Sequence, residues 1–194
     1  MFQIRIHGRG GQGVVTAAEI LSVAAFLEGK HAQAFPTFGS ERMGAPVTAF
    51  CRIDDHPIRL REPVVAPDAL IIQDATLLHR VPLFDGLTDS GYVLINSTQA
   101  FHELALSQLA KPLLEGHCCT LPATRLGLEH MGRPIPNAAL LGGFAGITEV
   151  LKIDSIAVAI RNKFPGSVGE KNVASARAAY RLVTERNVSH ATAD

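Results

Sequence analysis

The first segment with a recognisable chemical pattern is a glycine-rich run near the N-terminus, Gly8-Arg9-Gly10-Gly11-Gln12-Gly13. It follows alternating apolar and polar residues and precedes a stretch, 14–28, in which apolar residues recur at helical spacing. Strand, glycine loop and helix in this order are typical of dinucleotide-binding proteins, where the glycines allow a tight turn and a close approach to a diphosphate. The free backbone N–H groups and the dipole at the start of this helix would also favour the binding of a phosphate or a carboxylate.

The other half of the dinucleotide-binding pattern is absent from the sequence. A nicotinamide-dependent dehydrogenase needs an acidic residue at the end of a second strand, about 20 residues further on, to hold the ribose. Residues 31–36 contain no acidic residue, and the nearest one, Glu41, belongs to an irregular stretch. No Gly-Lys-Ser or Gly-Lys-Thr follows the glycines, which excludes a P-loop. Two interpretations stay open: an anion-binding helix start, and a tight turn that only packs on a neighbouring subunit.

A second unusual segment lies between Lys30 and Pro46. Its central part, 35–46, carries two Pro, two Gly and two Phe. We expect a long structured loop here, because a plain connection takes only about 2 to 6 residues. Loops of this kind are usually functional. The candidate site residues in this loop are Gly39, Ser40, Glu41 and Arg42.

The remaining periodicity predicts an α/β fold. Strands are predicted at 47–53, 69–73, 92–96 and, more weakly, 118–121, and helices at 14–28, 137–151, 155–164 and 168–187. Nearly apolar strands are usually buried on both faces, whereas the alternation in 47–53 predicts a position nearer an edge. We therefore expect three layers: a mainly parallel sheet with helices on both faces, and a Rossmann-like glycine loop after the first strand.

Length and composition predict one domain that is partly covered by a partner. The 194 residues suit a single α/β domain, 1–188, followed by a flexible tail, 189–194. Lys plus Arg and Asp plus Glu are balanced at 18 each, so a nucleic-acid-binding polycation is not indicated. Charged residues make up only 19% of the chain, which suggests a surface hidden against another protein. No apolar run suits a membrane span or a signal peptide, and we expect a cytoplasmic protein without a membrane partner.

The cysteine and histidine spacing indicates no metal centre. Cys51 stands alone and Cys118 and Cys119 are adjacent, unlike the spaced sets that hold zinc or iron–sulfur clusters. Buried, reduced thiols are the expected state. The eight His residues form no spacing such as HExxH, and we assign no catalytic residue.

Read in order, the motifs resemble the gamma subunit of the pyruvate and 2-ketoisovalerate family of 2-oxoacid:acceptor (ferredoxin) oxidoreductases, over almost the whole chain. The matching segments are Gly8 to Val14, Phe35 to Val47, Ala49-Phe50, Arg52-Ile53, Pro57-Ile58-Arg59, Pro67-Asp68, Asp74-Ala75-Thr76-Leu77, Asn96-Ser97, Pro136 to Gly142 and Lys171-Asn172. One departure is Met43, which stands where the family often has a second basic residue.

The resemblance implies a complex with alpha, beta and delta subunits that decarboxylates a 2-oxoacid on thiamine pyrophosphate with Mg. Electrons pass singly through [4Fe-4S] clusters to ferredoxin, or through a flavoprotein subunit to NAD, and the acyl group passes to CoA. This chain has neither a cluster-binding cysteine set nor the Gly-Asp-Gly to Asn-Asn segment that holds thiamine. We therefore expect it to be inactive alone and to hold none of these cofactors by itself. The resemblance also implies a position at the active-site entrance and a part in handling CoA.

On this basis the candidate cofactor-binding residues are Gly8, Arg9, Gly10, Gly11, Gln12, Gly13, Gly39, Ser40, Glu41, Arg42 and Asn137. Arg9 or Arg42 would meet a CoA phosphate, because a guanidinium matches phosphate oxygens in a forked geometry. The alternative for Arg42 is an ion pair that only locks its loop. Asn137 follows Pro136, where its side chain would cap free N–H groups of a helix.

Three hypotheses follow. The chain is an obligate subunit that borders the CoA site or the active-site entrance, a purely architectural subunit without ligand contact, or an independent nucleotide-dependent oxidoreductase. The 2-oxoacid and the final acceptor are not predicted, because their sites are expected on other subunits.

Overall fold

The computed structural model describes residues 1–37, 43–104, 106 and 113–191. Within these ranges the strands are β1 (Phe2–Arg9), β2 (His31–Pro36), β3 (Pro46–Asp54), β4 (Ala69–Ile72), β5 (Tyr92–Asn96) and β6 (Cys118–Leu121). The α-helices are α1 (Val14–Leu27), α2 (Ala123–Met131), α3 (Asn137–Thr148), α4 (Ile153–Lys163) and α5 (Ser167–Ala191). Two short 3-10 helices span Ala75–Leu77 and Phe101–Leu104.

The strands form one sheet in the order β2-β3-β1-β4-β5-β6. β1 pairs in parallel with β4, β4 with β5 and β5 with β6, whereas β3 runs antiparallel to both β1 and β2. The carboxyl ends of β1, β4, β5 and β6 therefore lie along one edge of the sheet. In open α/β sheets this edge is where ligands bind.

Both faces of the sheet are covered, by layers of different thickness. One face, through Ile4, Ile6, Ile71 and Leu94, belongs to a single apolar cluster to which all five α-helices contribute residues. The other face packs against the 3-10 helices and their loops, through Leu70, Ile72, Val93 and Ile95. The predicted α/β class with a mainly parallel sheet is confirmed. The second layer differs from the prediction in containing short 3-10 helices in place of α-helices.

One prediction about an individual element was wrong, and one helix was missed. Residues 31–36, which we expected to open an irregular loop, form the edge strand β2. Helix α2 was not predicted at all. β3, expected nearer an edge, lies next to the edge strand, between β2 and β1, and is mostly buried. The sequence of β2 is by itself only a weak indication of a strand. Pairing with β3, which places Phe35 opposite Phe50, decides its structure.

Two buried arginines fasten loops to the second face. Arg5 of β1 donates hydrogen bonds to the carbonyl oxygens of Leu83 and Asp85, at 2.8 and 2.6 Å. Arg52 of β3 donates to the Glu62 carbonyl oxygen at 2.5 Å and to Gln3 Oε1 at 3.1 Å. Burial lowers the pKa of both guanidinium groups. These bonds keep the connections after β3 and β4 against the sheet.

Helices α3 and α5 approach each other at glycines. A Cβ atom at Gly142 would overlap the backbone carbonyl of Ala176 in α5. One at Gly146 would lie 3.2 Å from Val183 Cβ. At Gly142 the backbone of α5 therefore packs directly on α3.

The C-terminal end is described up to Ala191, the last residue of α5. The division at residue 188 into a domain and a flexible tail stays a prediction, and 192–194 lie outside the described residues. Among the helices that the structure describes, none is long and apolar enough to cross a bilayer.

We predict that Gly142→Ala lowers the free energy of unfolding by about 2 kcal/mol or more. The reason is that the energetic cost of forcing a Cβ atom against the α5 backbone exceeds the helix-propensity gain of alanine over glycine. Urea denaturation of the full chain measures this change. Gly143→Ala is the control, since its Cβ would meet only the side-chain ends of Leu121 and Leu94, at 3.0 and 3.2 Å. Equal losses in the two variants would contradict close backbone packing as the cause.

Candidate functional site

The candidate site is the carboxyl edge of β1, β4 and β5. The glycine loop, 8–13, starts within the last two residues of β1, and Gln73 and Asp74 follow β4. Asn96 ends β5 and donates from Nδ2 to the Gln73 carbonyl oxygen at 2.8 Å. Because the three strands are parallel neighbours, these polar residues lie side by side.

Asp74 connects the glycine loop to the neighbouring strand. Its Oδ2 accepts hydrogen bonds from Arg9 Nε at 3.1 Å and from Gln12 Nε2 at 2.9 Å. Its Oδ1 accepts from the backbone N–H of Thr76 at 3.0 Å and from Thr76 Oγ1 at 2.5 Å. One carboxylate thus fixes two side chains of the loop and caps the following 3-10 helix.

Burial alone would raise the pKa of Asp74, but the hydrogen bonds from Thr76 and Gln12 and the charge of Arg9 outweigh burial. The pKa of this carboxyl is therefore lowered, and the group is ionised at neutral pH. An ionised carboxylate accepts hydrogen bonds at both oxygens, which suits the N–H donors that both loop side chains present to it.

Arg9 reaches across to the second glycine-bearing segment. Its Nη1 donates to the carbonyl oxygen of Gly44 at 3.0 Å, and its Nη2 donates to Thr76 Oγ1 at 2.7 Å. The backbones also meet: Gly10 N–H donates to the Ala45 carbonyl oxygen at 2.9 Å, and Gly44 N–H donates to Gly10 O at 3.1 Å. Gly44 and Ala45, near the C-terminal end of the second segment, therefore form one surface with the glycine loop.

The glycine loop closes on itself in a conformation that only glycine adopts easily. Gly11 and Gly13 have φ of 92° and 76°, in the left-handed region. The N–H of Arg9 donates to Gln12 Oε1 at 2.8 Å, and the N–H of Gln12 donates to Arg9 O at 3.0 Å. Most of the donors in this loop are thus already used within the protein.

Asn137 lies against the end of the glycine loop. A Cβ atom at Gly13 would stand 2.7 Å from Asn137 Nδ2. Asn137 is the first residue of α3, and its Oδ1 accepts from the N–H of Ala138 at 2.8 Å, which satisfies one free donor of the helix start. The starts of α1 and α3 are therefore adjacent.

Two buried polar side chains flank this edge. Gln73 is almost fully buried, and neither its Oε1 nor its Nε2 has a partner among the described residues. His7 Nδ1 lies 3.2 Å from Thr48 Oγ1. Burial, helped by the nearby Arg5 charge, lowers the pKa of His7 to about 3, so the imidazole is neutral near pH 7.

The predicted site residues divide into two groups. Gly8, Arg9, Gly10, Gly11, Gln12, Gly13 and Asn137 are brought together at the carboxyl edge. Gly39, Ser40, Glu41 and Arg42 lie outside the described residues. Their C-terminal flank, Met43, forms a bridge with Gly10 and is exposed.

Sequence reasoning assigned no role to Asp74, Thr76, Gln73 or Asn96. The available signal was their position, since each follows or ends an apolar strand predicted to lie in the parallel sheet. In the described part of the chain, no group of three His, Cys, Asp or Glu residues is arranged to hold a metal ion.

The family model described as "Pyruvate ferredoxin/flavodoxin oxidoreductase" matches residues 3–182. The chain belongs to this family. The expected likeness to its gamma subunit is confirmed by curated relatives. The chain is 50% identical over 180 residues to "Pyruvate synthase subunit PorC" of Methanothermobacter marburgensis, covering 93% of this chain and 96% of the relative. It is 48% identical to "Pyruvate/ketoisovalerate oxidoreductases common subunit gamma" of Pyrococcus furiosus, with the same shares covered.

Solved structures of related chains have the same fold. Pyruvate oxidoreductase subunit PORC of Thermotoga maritima is 34% identical, with a TM-score of 0.78 over 93% of this chain and 95% of that one. A 2-oxoglutarate:ferredoxin oxidoreductase of Magnetococcus marinus, with 2-oxoglutarate, coenzyme A and succinyl-CoA bound, is 15% identical with a TM-score of 0.71. The match covers 95% of this chain but only 31% of that chain, so the fold is one part of a longer protein there.

We predict that Asp74→Ala lowers the free energy of unfolding by about 1.5–3 kcal/mol, because the charged Arg9 and the Gln12 amide lose their common acceptor. Urea denaturation of the full chain measures the loss. The control is Asp55→Ala, which removes an exposed carboxylate and is expected to change stability by less than about 0.5 kcal/mol. Similar values for the two variants would show that Asp74 does not hold the loop.

Proposed function

We propose that this chain is the gamma-type subunit of a multi-subunit, thiamine-dependent 2-oxoacid:acceptor oxidoreductase, and that its glycine-loop edge borders the CoA site or the active-site entrance. The complex converts a 2-oxoacid plus CoA to acyl-CoA, CO2 and a reduced acceptor. Family membership and near-complete coverage of relatives that are named as subunits support this assignment.

The redox and carbanion chemistry is assigned to the other subunits. Bound thiamine supplies the electron sink for decarboxylation, and iron–sulfur clusters carry single electrons. A [4Fe-4S] cluster takes four cysteines, and this chain has three. Burial raises the pKa of Cys51, one of the three, to about 12, which disfavours the thiolate that a cluster needs. The role of this chain is to shape and close the site that the others supply.

The observation that carries the CoA assignment is the partly free guanidinium of Arg9. A guanidinium has five N–H donors, and three of those of Arg9 are used by Asp74, Gly44 and Thr76. The side chain is 24% exposed, so the remaining donors can reach a phosphate oxygen. Because its three bonds fix its orientation, Arg9 would bind a phosphate with little further loss of side-chain entropy.

The candidate residues Gly39, Ser40, Glu41 and Arg42 are proposed to take part in CoA binding as well. Their support is the sequence alone, in which they directly precede Met43, the residue that forms a bridge with Gly10. The acceptor is proposed to be ferredoxin or an NAD-linked flavoprotein subunit. The alpha, beta and delta subunits are the proposed partners.

A purely architectural role is the second candidate. It is favoured by the number of loop donors that are already satisfied within the chain, since the N–H groups of Arg9, Gly10 and Gln12 all bond internally. Asp74 also balances the charge of Arg9. On this alternative the glycine loop is a stiff contact surface for another subunit.

An independent dinucleotide-dependent enzyme is not favoured. In that fold the second strand lies parallel and adjacent to the first and ends in the ribose-binding acid. Here β3 lies between β1 and β2, and β2 ends in Phe35 and Pro36.

We predict that Arg9→Ala in the intact complex raises the KM for CoA about tenfold or more, because a charge-assisted bond to a phosphate is lost. The KM for the 2-oxoacid is expected to stay unchanged. Steady-state kinetics of the purified complex measures both values. Arg177→Ala, which removes a surface ion pair with Asp154, is the control.

Kinetics with a second acyl-group acceptor distinguish a direct contact between Arg9 and CoA from an indirect effect of the substitution on the shape of the loop. Pantetheine carries the thiol of CoA without its phosphates, so Arg9→Ala is expected to leave the KM for pantetheine unchanged. An unchanged KM for CoA in an intact assembly would favour the architectural role. Full CoA-dependent turnover after removal of this chain from the complex would overturn both the CoA-contacting role and the architectural role.

A further inference from the structure

Gln73, the residue after β4, is a buried amide without a hydrogen-bond partner for either of its polar atoms. Its exposed fraction is 1%, and neither Oε1 nor Nε2 bonds to a group in the part of the chain that the structure describes. A buried polar atom of this kind gives up its hydrogen bonds to water without replacement, which destabilises the folded chain. A ligand that pairs with the amide would explain its presence.

The position of Gln73 is one at which α/β sheets commonly bind ligands. From β1 the chain continues through α1 to β2 and β3 on one side, whereas β4, β5 and β6 lie on the other side of β1. The crevice at the carboxyl ends of two strands whose connections run in opposite directions is the usual binding position in open sheets. Here those strands are β1, which ends in the glycine loop, and β4, which is followed by Gln73.

The Gln73 side chain is directed toward the helix layer, beside the start of α1. Side chains alternate along a strand, and Ile71, two residues earlier, belongs to the cluster that the α-helices share. A Cβ atom at Gly8 would lie 3.2 Å from Gln73 Cβ and 2.7 Å from Val14 Cγ2. Gln73 and the first residue of α1 are therefore neighbours across the glycine loop.

The start of α1 offers further hydrogen-bond donors. Its N-cap residue is Gly13, so no side chain caps the helix. The first bond of α1 runs from Ala17 N–H to the Gly13 carbonyl oxygen, at 2.9 Å, which leaves the N–H groups of 14–16 without an acceptor in the helix. Asn137 Nδ2, which borders Gly13, is another donor. The helix start thus presents donors, whereas Gln73 presents a donor and an acceptor.

This set of groups matches an amide better than a phosphate. The carbonyl oxygen of an amide accepts from the N–H groups of the helix start, and its own N–H donates to Gln73 Oε1. A fully ionised phosphate has no donor and would leave Oε1 unpaired. In CoA the pantetheine arm, which contains two amides, is attached to the diphosphate. Arg9, the proposed phosphate contact, is bonded to Asp74, the residue after Gln73.

We propose that Gln73 binds a pantetheine amide of CoA, with the amide carbonyl at the start of α1 and the amide N–H at Gln73 Oε1. This inference rests on the proposed function, because it takes CoA to be the ligand of this edge. The pantetheine arm then runs from Arg9 across the glycine loop to the helix side of the sheet. The Gln73 amide is paired only when CoA is bound.

The stability of the chain without CoA provides the first test. Gln73→Met keeps the size of the side chain and removes both unpaired atoms, so it is expected to raise the melting temperature of the full chain by about 2 °C or more. Circular dichroism measures this shift. Gln99→Met, at an exposed position after β5, is the control and is expected to cause no change. A lower melting temperature for Gln73→Met would show that the amide is already bonded in the free chain and would overturn the proposal.

Binding of two fragments of CoA to the intact complex provides the second test, by titration calorimetry. Gln73→Met is expected to raise the Kd for pantetheine about tenfold, because two hydrogen bonds are lost, and to leave the Kd for adenosine 3′,5′-bisphosphate unchanged. Arg9→Ala is expected to have the opposite pattern, and Gln99→Met to change neither value.

The two variants also distinguish this proposal from the proposed function. Unchanged pantetheine binding by Gln73→Met, or a loss of bisphosphate binding in that variant, would overturn the pantetheine contact. If Arg9→Ala still weakens the bisphosphate in that case, CoA binding at this edge stands. If neither variant changes the binding of either fragment, both proposals are wrong.

Discussion

The parallel pairing of β1 with β4 brings the Asp74 carboxylate to the side chains of Arg9 and Gln12, and the geometry of the site depends on this contact. A loop with four glycines in six residues would otherwise be costly to order, because glycine loses more conformational freedom than any other residue. The carboxylate, the internal bonds of the loop and the backbone contacts with Gly44 and Ala45 replace that freedom with a fixed surface.

A fixed surface suits a chain that completes a site made by others. Arg9 is held in place by three hydrogen bonds and is still partly exposed, so it is preorganised toward whatever faces the edge. The exposed apolar side chains of Val23, Phe26 and Leu27, in the second half of α1, form a surface separate from the carboxyl edge. One is polar and rigid, the other apolar. The low charge content of the chain is in keeping with both being covered in an assembly.

Much of the fold could be predicted, because strong local patterns decide it. The apolar strands β4 and β5 and the glycine loop before α1 are visible in the sequence alone. β2 was missed because Ala32, Ala34 and Pro36 have low strand propensity and because its structure depends on pairing with β3, a contact that no local pattern records. Asp74 was seen only as part of a family motif. Its role depends on which strands are neighbours, and sheet order is decided by packing across the whole chain.

In the proposed function, the edge formed by residues 8–13, 43–45 and 74–76 faces bound CoA in the assembled enzyme. Cryo-electron microscopy of the complex with CoA tests it most directly. We expect a CoA phosphate oxygen within hydrogen-bonding distance of the Arg9 guanidinium, with the Arg9–Asp74 contact intact. CoA bound elsewhere, with this edge in solvent or wholly buried against another subunit, would contradict it.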